Sequence, residues 1–255
     1  MSFDVAAEAY DSFMGRFSMP LAVSFAAWAG VQRPARALDV GCGTGALTRV
    51  LVDRLGGAAV TAVDPSSPFV AAARDRFPGV DVRQAGAESL PLPDDAFDAA
   101  LAELVVHFMT DASAGLREMV RVTRPEGVVA ACVWDFVGGR APQTRFFAAL
   151  RRIAPHAEDE TERIGGRRGD LGRLLRDAAC VEVEEGELSV EVGFEGFEDW
   201  WEPYTHGVAP AGRQLAALPR ADRDRVRQEA RRLVPDAPFT VRATAWAARG
   251  RSASS

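Results

Sequence analysis

The sequence contains no lysine, so all 30 basic residues of the 255-residue chain are arginines. We interpret this absence as a bias of codon usage or lineage. With 36 acidic residues the formal net charge is −6, and no stripe of basic residues is evident. This charge argues against a general affinity for nucleic acid or for anionic membrane surfaces.

Cysteine and histidine are also scarce, with three residues of each. Cys42, Cys132 and Cys180 are too few and too scattered for a disulfide framework or a zinc site. The histidines lie far apart and lack metal-ligand spacing, so no metal is expected. No apolar run reaches the ~18 residues of a membrane helix, and the charged N-terminus does not fit a signal peptide. We therefore expect a soluble, cytoplasmic protein.

A glycine-rich turn between a strand and a helix is the most informative stretch of the chain. Residues 35–40 form a short apolar run, which is typical of a buried parallel strand. The run stops at Gly41, Gly43 and Gly45, after which leucine and valine recur at helical spacing. Glycine permits a sharp turn and the close approach of a ligand, and free helix N–H groups favour polar or anionic ligand atoms. The stretch therefore predicts a ligand-binding strand–turn–helix unit.

A second apolar run, residues 60–63, predicts the next strand, and Asp64 ends it. Asp64 follows the turn at about the 20-residue spacing at which nucleotide-binding folds place a carboxylate on ribose hydroxyls. The glycine pattern is G-x-G-x-G rather than the dinucleotide pattern G-x-G-x-x-G. This spacing argues against a nicotinamide-dependent oxidoreductase. That function nevertheless stays open as an alternative to the one that the further motifs indicate below.

Together with residues 87–92, 97–100 and 121–127, this pattern resembles the class I S-adenosylmethionine-dependent methyltransferases. The resemblance is to their small-molecule branch, which includes ubiquinone-pathway and natural-product enzymes, and it covers about residues 35–135. It implies an α/β, Rossmann-like fold with a seven-stranded, mostly parallel sheet, helices on both faces and an antiparallel last strand. We expect a single methyltransferase domain over residues 1–255. It would comprise an N-terminal helical segment (1–34), a cofactor-binding core (35–135) and a helical lid insertion (195–238) before the last strand.

The resemblance also implies S-adenosyl-L-methionine as cofactor and a set of contacts to it. The residues implied are Tyr10, Arg16, Asp39, Gly41, Cys42, Gly43, Asp64, Pro65, Ala87, Glu88, Glu103 and Leu104. Arg16 suits the methionine carboxylate, although a surface arginine is an equal alternative. Gly86 stands where family members often have an aspartate, so the adenine contact falls to Ala87 or Glu88. The alternative for Glu88 is a solvated loop carboxylate.

His107 follows the predicted fourth strand, at the sheet edge where ligands of open parallel sheets bind. We predict it as a general base, with a rate that rises through histidine's titration range, and His206 as its substitute. The alternative is a structural histidine in an enzyme that works by alignment alone.

The predicted insertion contains an aromatic segment from Phe197 to His206. Rings with a few polar tips are typical of small-molecule sites. We therefore predict a substrate pocket formed by Trp134, Trp200, Trp201, Tyr204 and His206. The alternative, most of all for Trp200, is packing of a helix onto the core.

The function that follows is metal-independent methyl transfer to a small molecule with an oxygen, nitrogen or carbon nucleophile. No nucleic-acid, membrane or obligate protein partner is evident from the sequence. Because a fold does not fix its chemistry, a non-methylating reaction such as a cyclisation in the same cofactor-binding fold remains an alternative. The negative net charge argues against a methyltransferase for nucleic acid.

Overall fold

A computed structural model of the chain describes residues 14–33, 35–157, 160–207 and 209–253. Helices and strands alternate along the first half, as a parallel sheet requires. They are α1 (Arg16–Trp28), β1 (Ala37–Val40), α2 (Ala46–Leu55), β2 (Val60–Asp64), α3 (Ser67–Arg76), β3 (Asp81–Gln84), β4 (Phe97–Glu103), α4 (Ala112–Val122), β5 (Thr123–Trp134), α5 (Thr144–Ile153), α6 (Asp170–Asp177), β6 (Cys180–Phe194), α7 (Phe197–Trp201), α8 (Ala209–Ala217), α9 (Arg220–Arg231) and β7 (Phe239–Ser252). Short 3₁₀ helices span Gly57–Ala59, Val106–Phe108 and Glu202–His206.

The seven strands form one sheet in the order β3-β2-β1-β4-β5-β7-β6. The pairs from β3 to β5 are parallel, whereas β7 runs antiparallel to β5 and β6. Every residue of β1 and of β2 is buried, because helices cover both faces of the sheet. The predicted fold class is therefore confirmed, including the antiparallel last strand.

The sequence favours a turn at residues 123–127 ahead of a strand that begins at Val128. In the structure β5 already begins at Thr123, but it pairs with β4 in regular register only from Val128. Glu126 has a φ of 64° in the irregular stretch between them. The apolar spacing of the N-terminal segment also predicts two helices, the second of them after Pro20. In the structure Pro20 lies inside α1, so the second helix begins earlier than predicted. Most of the first predicted N-terminal helix falls outside the described residues.

The segment between β6 and β7 is helical, as predicted, and contains α7, the 3₁₀ helix Glu202–His206, α8 and α9. β6 and β7 pair on both sides of it, from Phe194 with Phe239 to Cys180 with Ser252. The hairpin of the last two strands is therefore intact, and the helices form an excursion from its tip. A covering role for this excursion stays a prediction.

No helix within the described ranges has the length and apolar character needed to cross a membrane. Cys42, Cys132 and Cys180 are buried free thiols. Burial raises the pKa of the Cys42 and Cys132 thiols, so both favour the protonated form, which is a poor nucleophile.

Candidate active site

The carboxyl ends of β1, β2 and β4 open onto a cavity of about 320 Å³. We call it the main cavity; its walls include Asp39, Gly43, Asp64, Glu103, Phe108 and Arg213. Ligands of open parallel sheets bind at this edge, and the volume is at the lower end of the range of roughly 300–1,000 Å³ for small-molecule sites. The main cavity is therefore the candidate cofactor site.

The three glycines of the turn have different structural roles. All have positive φ, with values of 74°, 52° and 96° at Gly41, Gly43 and Gly45. A Cβ on Gly41 would overlap Val105, and one on Gly45 would overlap Phe77, whereas a Cβ on Gly43 would meet no atom within 4 Å. The outer glycines thus serve packing, and Gly43 presents bare backbone to the main cavity.

Asp64 is held against this turn by two backbone hydrogen bonds. Its Oδ2 accepts the Gly43 N–H at 2.9 Å, and its Oδ1 accepts the Ser66 N–H at 2.8 Å. Each carboxylate oxygen retains a further lone pair for a ligand hydroxyl. Burial raises the pKa of Asp64, and the two N–H groups counteract that shift. The carboxylate is therefore fixed in orientation at the cavity wall.

Two further carboxyl groups lie in the main cavity. Asp39 Oδ2 accepts the Thr48 hydroxyl at 2.5 Å, and burial raises the pKa of Asp39 to about 7. Burial also raises the pKa of Glu103 well above its ordinary range, which favours the neutral acid. Glu103 Oε1 is buried and finds no partner in the described part of the chain. Glu103 is therefore available to hydrogen-bond a ligand.

The raised pKa of Asp39 predicts how the stability of the folded protein changes with pH. The folded state holds a proton that the unfolded chain releases, so this carboxyl lowers the stability as pH rises from about 4 to about 7. An Asp39→Asn variant keeps an oxygen for Thr48 and lacks that titration. We expect the stability of the parent, relative to the variant, to fall across this window in urea unfolding. If the free energies of unfolding of the parent and of Asp39→Asn changed in parallel with pH, the raised pKa of Asp39 would be contradicted.

A much smaller cavity of about 30 Å³, room for a water molecule or two, adjoins the main cavity. We call it the side cavity; its polar lining residues are His107, Trp134, Gln143 and Glu160, and its apolar ones include Met14 and Phe136. Leu104, Phe108, Ala209 and Pro210 line both cavities. The two cavities thus form neighbouring compartments with a shared wall.

Comparisons with known proteins agree on one family. Residues 38–131 match the family described as "Methyltransferase domain". Residues 38–131 therefore belong to the class I S-adenosylmethionine-dependent methyltransferases. A malonyl-[acyl-carrier protein] O-methyltransferase of Pseudescherichia vulneris is 35% identical over 159 residues, which are 58% of this chain and 62% of the relative.

A 2-methyl-6-phytyl-1,4-hydroquinone methyltransferase of Oryza sativa subsp. japonica is 34% identical over 132 residues, 51% of this chain and 37% of the relative. The chain thus spans less than two thirds of the length of these relatives.

Solved structures share the fold along most of the chain. A protein of Bacillus halodurans C-125 superposes with a TM-score of 0.60 at 18% identity, over 91% of this chain and 99% of its own. The [4+2]-cyclase SpnF gives a TM-score of 0.56 at 22% identity, over 92% and 82%. At such low identity these similarities concern the methyltransferase fold alone.

The methyltransferase family uses S-adenosylmethionine as methyl donor, and the main cavity fits it. Asp64 has free lone pairs for ribose hydroxyls, Gly43 leaves open space, and Glu103 has an unpartnered oxygen. Of the predicted contacts, the structure gathers Asp39, Gly41, Cys42, Gly43, Asp64, Pro65, Glu103 and Leu104 at this cavity. It adds Ser66, Phe69 and Arg213, which the sequence did not indicate.

The other predicted cofactor contacts are not at this cavity. Arg16 instead binds Asp199 at 2.7 Å and the Gly193 carbonyl at 2.6 Å, so its cation is already paired and the predicted carboxylate contact is not supported. Glu88 accepts the Thr110 N–H at 2.8 Å, and Ala87 is buried, but neither lines the main cavity. Tyr10 lies outside the described residues.

The structure does not bring Trp200, Trp201 and Tyr204 to either cavity, so their role in a substrate pocket stays a prediction. These side chains are buried in a ring cluster and line neither cavity. Tyr204 stacks on Phe146 of α5 with 4.2 Å between ring centroids. The cluster is hydrophobic core, because α5 offers a complementary aromatic face. The insertion reaches both cavities through the start of α8 instead.

The two candidate bases occupy different surroundings. His206 binds Glu202 at 3.0 Å and lines neither cavity, so the structure does not support it as a substitute base. His107 lines the side cavity, as does Trp134, and its side chain is 3% exposed. Burial and the Arg163 charge lower the pKa of His107 to about 3. The predicted rise of rate through histidine's ordinary titration range is therefore not expected.

Proposed function

We propose that this chain transfers a methyl group from S-adenosylmethionine to a small-molecule acceptor. The observation that carries the proposal is the way Asp64 is held in the main cavity. Its carboxylate accepts the Gly43 and Ser66 N–H groups and retains lone pairs, and the space beside Gly43 is open. A ribose can bind there, and the acceptor would reach the methyl group directly from within the same cavity.

The bound cofactor supplies a methyl group on a positively charged sulfur, which is a good leaving group. The protein's contribution is binding, alignment and exclusion of water. Asp64 accepts the ribose hydroxyls, and Gly43 leaves space for the nucleoside beside it. Alignment of two reactants can lower a barrier by about 7–11 kcal/mol.

The acceptor atom is oxygen, nitrogen or carbon in the broad form of this proposal. The curated relatives include enzymes named for malonyl-[acyl-carrier protein] and for a hydroquinone. Both kinds of acceptor belong in a first screen. If the acceptor is carried by an acyl-carrier protein, as in the first relative's name, the proposal includes that carrier protein as a partner. A cytoplasmic setting is also part of the proposal, and the three free thiols fit a reducing compartment.

The first test is cofactor binding by Asp64→Asn, measured by calorimetry with S-adenosylhomocysteine. We expect the dissociation constant to rise about 10- to 150-fold, the loss of about 1.5–3 kcal/mol for hydrogen bonds to a charged group. The exposed Asp94→Asn is the matched control. Equal affinity of the parent and Asp64→Asn, with equal thermal stability, would remove Asp64 from the site.

The second test is formation of S-adenosylhomocysteine in the presence of each acceptor of the screen. Turnover that depends on acceptor and falls in Asp64→Asn would support methyl transfer. Tight cofactor binding without any S-adenosylhomocysteine would instead favour a non-methylating reaction such as a cyclisation.

A further inference from the structure

Asp39, Asp64 and Glu103 all line the main cavity, but their carboxyl groups are not equally occupied. Asp64 is held by two backbone N–H groups, and Asp39 accepts the Thr48 hydroxyl. Glu103 Oε1 is buried and has no hydrogen-bond partner within the described ranges. Buried polar groups are normally paired, because an unmet hydrogen bond is costly. Glu103 is therefore the carboxyl group that a ligand would complete.

The sheet sets the distance between Glu103 and the ribose-binding carboxylate. Asp64 ends β2 and Glu103 ends β4, and β1 lies between these strands, so the two backbones are roughly 10 Å apart. The described lining contains Leu104 and Phe108 beyond β4 but no residue of β3, so the cavity extends from Asp64 toward β4. The sulfur of the cofactor is joined to its ribose through a single carbon atom. With the ribose hydroxyls at Asp64, the sulfur therefore lies on the side of Glu103.

The groups around Glu103 leave it without a cationic neighbour in the cofactor-free protein. Asp39 acts on it from β1, and the Cys132 thiol, which burial keeps protonated, pairs with it from β5. Arg213 is the basic residue among the described lining residues of the main cavity, and its side chain is exposed, where solvent and salt screen its charge. Burial and the Asp39 charge raise the pKa of Glu103 well above its ordinary range, so the neutral acid is favoured.

The remaining elements near β4 do not change this balance. His107 follows β4, but it lines the side cavity, and burial lowers its pKa to about 3, so it is neutral near pH 7. Arg16, at the start of α1, is paired with Asp199 at 2.7 Å. A positive charge at Glu103 must therefore come from a ligand, and the sulfonium group of the cofactor is such a charge.

We infer that Glu103 is the counter-ion of the sulfonium group and distinguishes the donor, S-adenosylmethionine, from the product, S-adenosylhomocysteine. The inference rests on the proposed function and concerns its cofactor site. Glu103 is a neutral acid in the cofactor-free protein, and its proton passes to solvent when the positively charged sulfur binds. When the methyl group is transferred, the sulfur–carbon bond breaks and its electrons stay on sulfur, which becomes neutral. Glu103 then takes a proton from solvent, and the attraction that favoured the donor is lost.

This exchange of protons makes the preference for the donor depend on pH. The complex with S-adenosylmethionine holds fewer protons than the cofactor-free protein, so rising pH favours that complex. S-adenosylhomocysteine leaves Glu103 protonated, and its affinity lacks this dependence. The ratio of the two affinities should therefore rise by up to about tenfold per pH unit while Glu103 is neutral in the cofactor-free protein. An opposite charge nearby lowers the pKa of a carboxyl group by about 1–3 units, so the total gain is about 10- to 1,000-fold.

Proton release is measured by calorimetric titration of each ligand, without acceptor, in two buffers of different ionisation enthalpy. For the parent protein we expect a larger release with S-adenosylmethionine than with S-adenosylhomocysteine, and the excess should approach a single proton. Sinefungin, which carries a protonated amine where the donor has its methylated sulfur, should behave as the donor does. Release by either cationic ligand no greater than that by S-adenosylhomocysteine would overturn the inference. Failure of S-adenosylhomocysteine itself to bind would instead contradict the proposed function.

Glu103→Gln keeps the shape of the side chain and removes its titration. We expect the excess proton release to disappear, while the affinity for S-adenosylhomocysteine stays close to the parent's. Ionisation of the ligands themselves is common to all variants, so the difference from the parent isolates Glu103. Glu160→Gln is the matched control, because Glu160 is also buried with a raised pKa but lines the side cavity, and it should retain the excess. An excess that persists in Glu103→Gln, or that disappears equally in Glu160→Gln, would contradict the assignment.

Discussion

Gly43→Val is expected to abolish measurable cofactor binding while the protein stays folded. A Cβ at this position meets no atom within 4 Å, so the added branches would project into the open main cavity. The Gly43 N–H also donates to Asp64 Oδ2, so any shift of the turn moves the carboxylate that faces the ribose. Both effects act on the same ligand, and we expect the dissociation constant for S-adenosylhomocysteine to rise at least about 100-fold, or about 2.7 kcal/mol.

Gly43→Val could act through backbone strain as well as by filling the space of the cofactor, so the two effects must be separated. Gly43 has a φ of 52°, and a β-branched residue there costs about 1–3 kcal/mol of stability. Gly139 has a φ of 68°, and a Cβ there would have ordinary contact with Thr144 at 3.6 Å, away from both cavities. Gly139→Val therefore carries similar strain and serves as the control. If both variants lose similar stability and both still bind S-adenosylhomocysteine, the role of Gly43 is refuted.

The cofactor end of the site could be predicted from sequence because its determinants are local. Gly41, Gly43 and Gly45 lie between a strand and a helix that follow one another directly, and Asp64 ends the next strand. The parallel pairing of β1 with β2 then brings Asp64 to the turn. Short loops and a fixed crossover handedness leave few other arrangements for such a unit.

The lining of the side cavity could not be predicted, because its residues meet only through tertiary packing. Gln143 and Glu160 come from loops on either side of α5, and neither stands in a motif. Arg16 shows the same limit in reverse, since its partner Asp199 is 183 residues away in the chain. A single sequence gives the charge of such residues but not the partner that neutralises it.

The aromatic segment shows a different ambiguity. Rings at residues 197–204 fit a pocket wall and a helix packed on the core equally well by composition, because both environments are apolar. The deciding fact is the aromatic face of α5, with Phe146 lying against Trp201 and Tyr204. That face was visible in the sequence, but its pairing with the insertion is a long-range contact.

Trp200→Ala should consequently behave as a core mutation and lower the free energy of unfolding by about 3–5 kcal/mol. Its side chain is 2% exposed, and its ring lies 5.2 Å from that of Tyr204 and 6.1 Å from that of Phe197. Removing the indole would leave a void that these rings cannot close. Urea unfolding should show a lower midpoint with an unchanged slope.

Trp28→Ala supplies the comparison, because Trp28 is only partly buried and its ring is covered by Arg249 at 5.2 Å. We expect a smaller loss of stability in Trp28→Ala than in Trp200→Ala.

Folded Trp200→Ala should still bind S-adenosylhomocysteine with affinity close to the parent's, since the Trp200 ring lines neither cavity. An unchanged unfolding midpoint together with selective loss of methyl transfer would contradict the core assignment of Trp200. It would instead favour the predicted place of the aromatic segment in the substrate pocket.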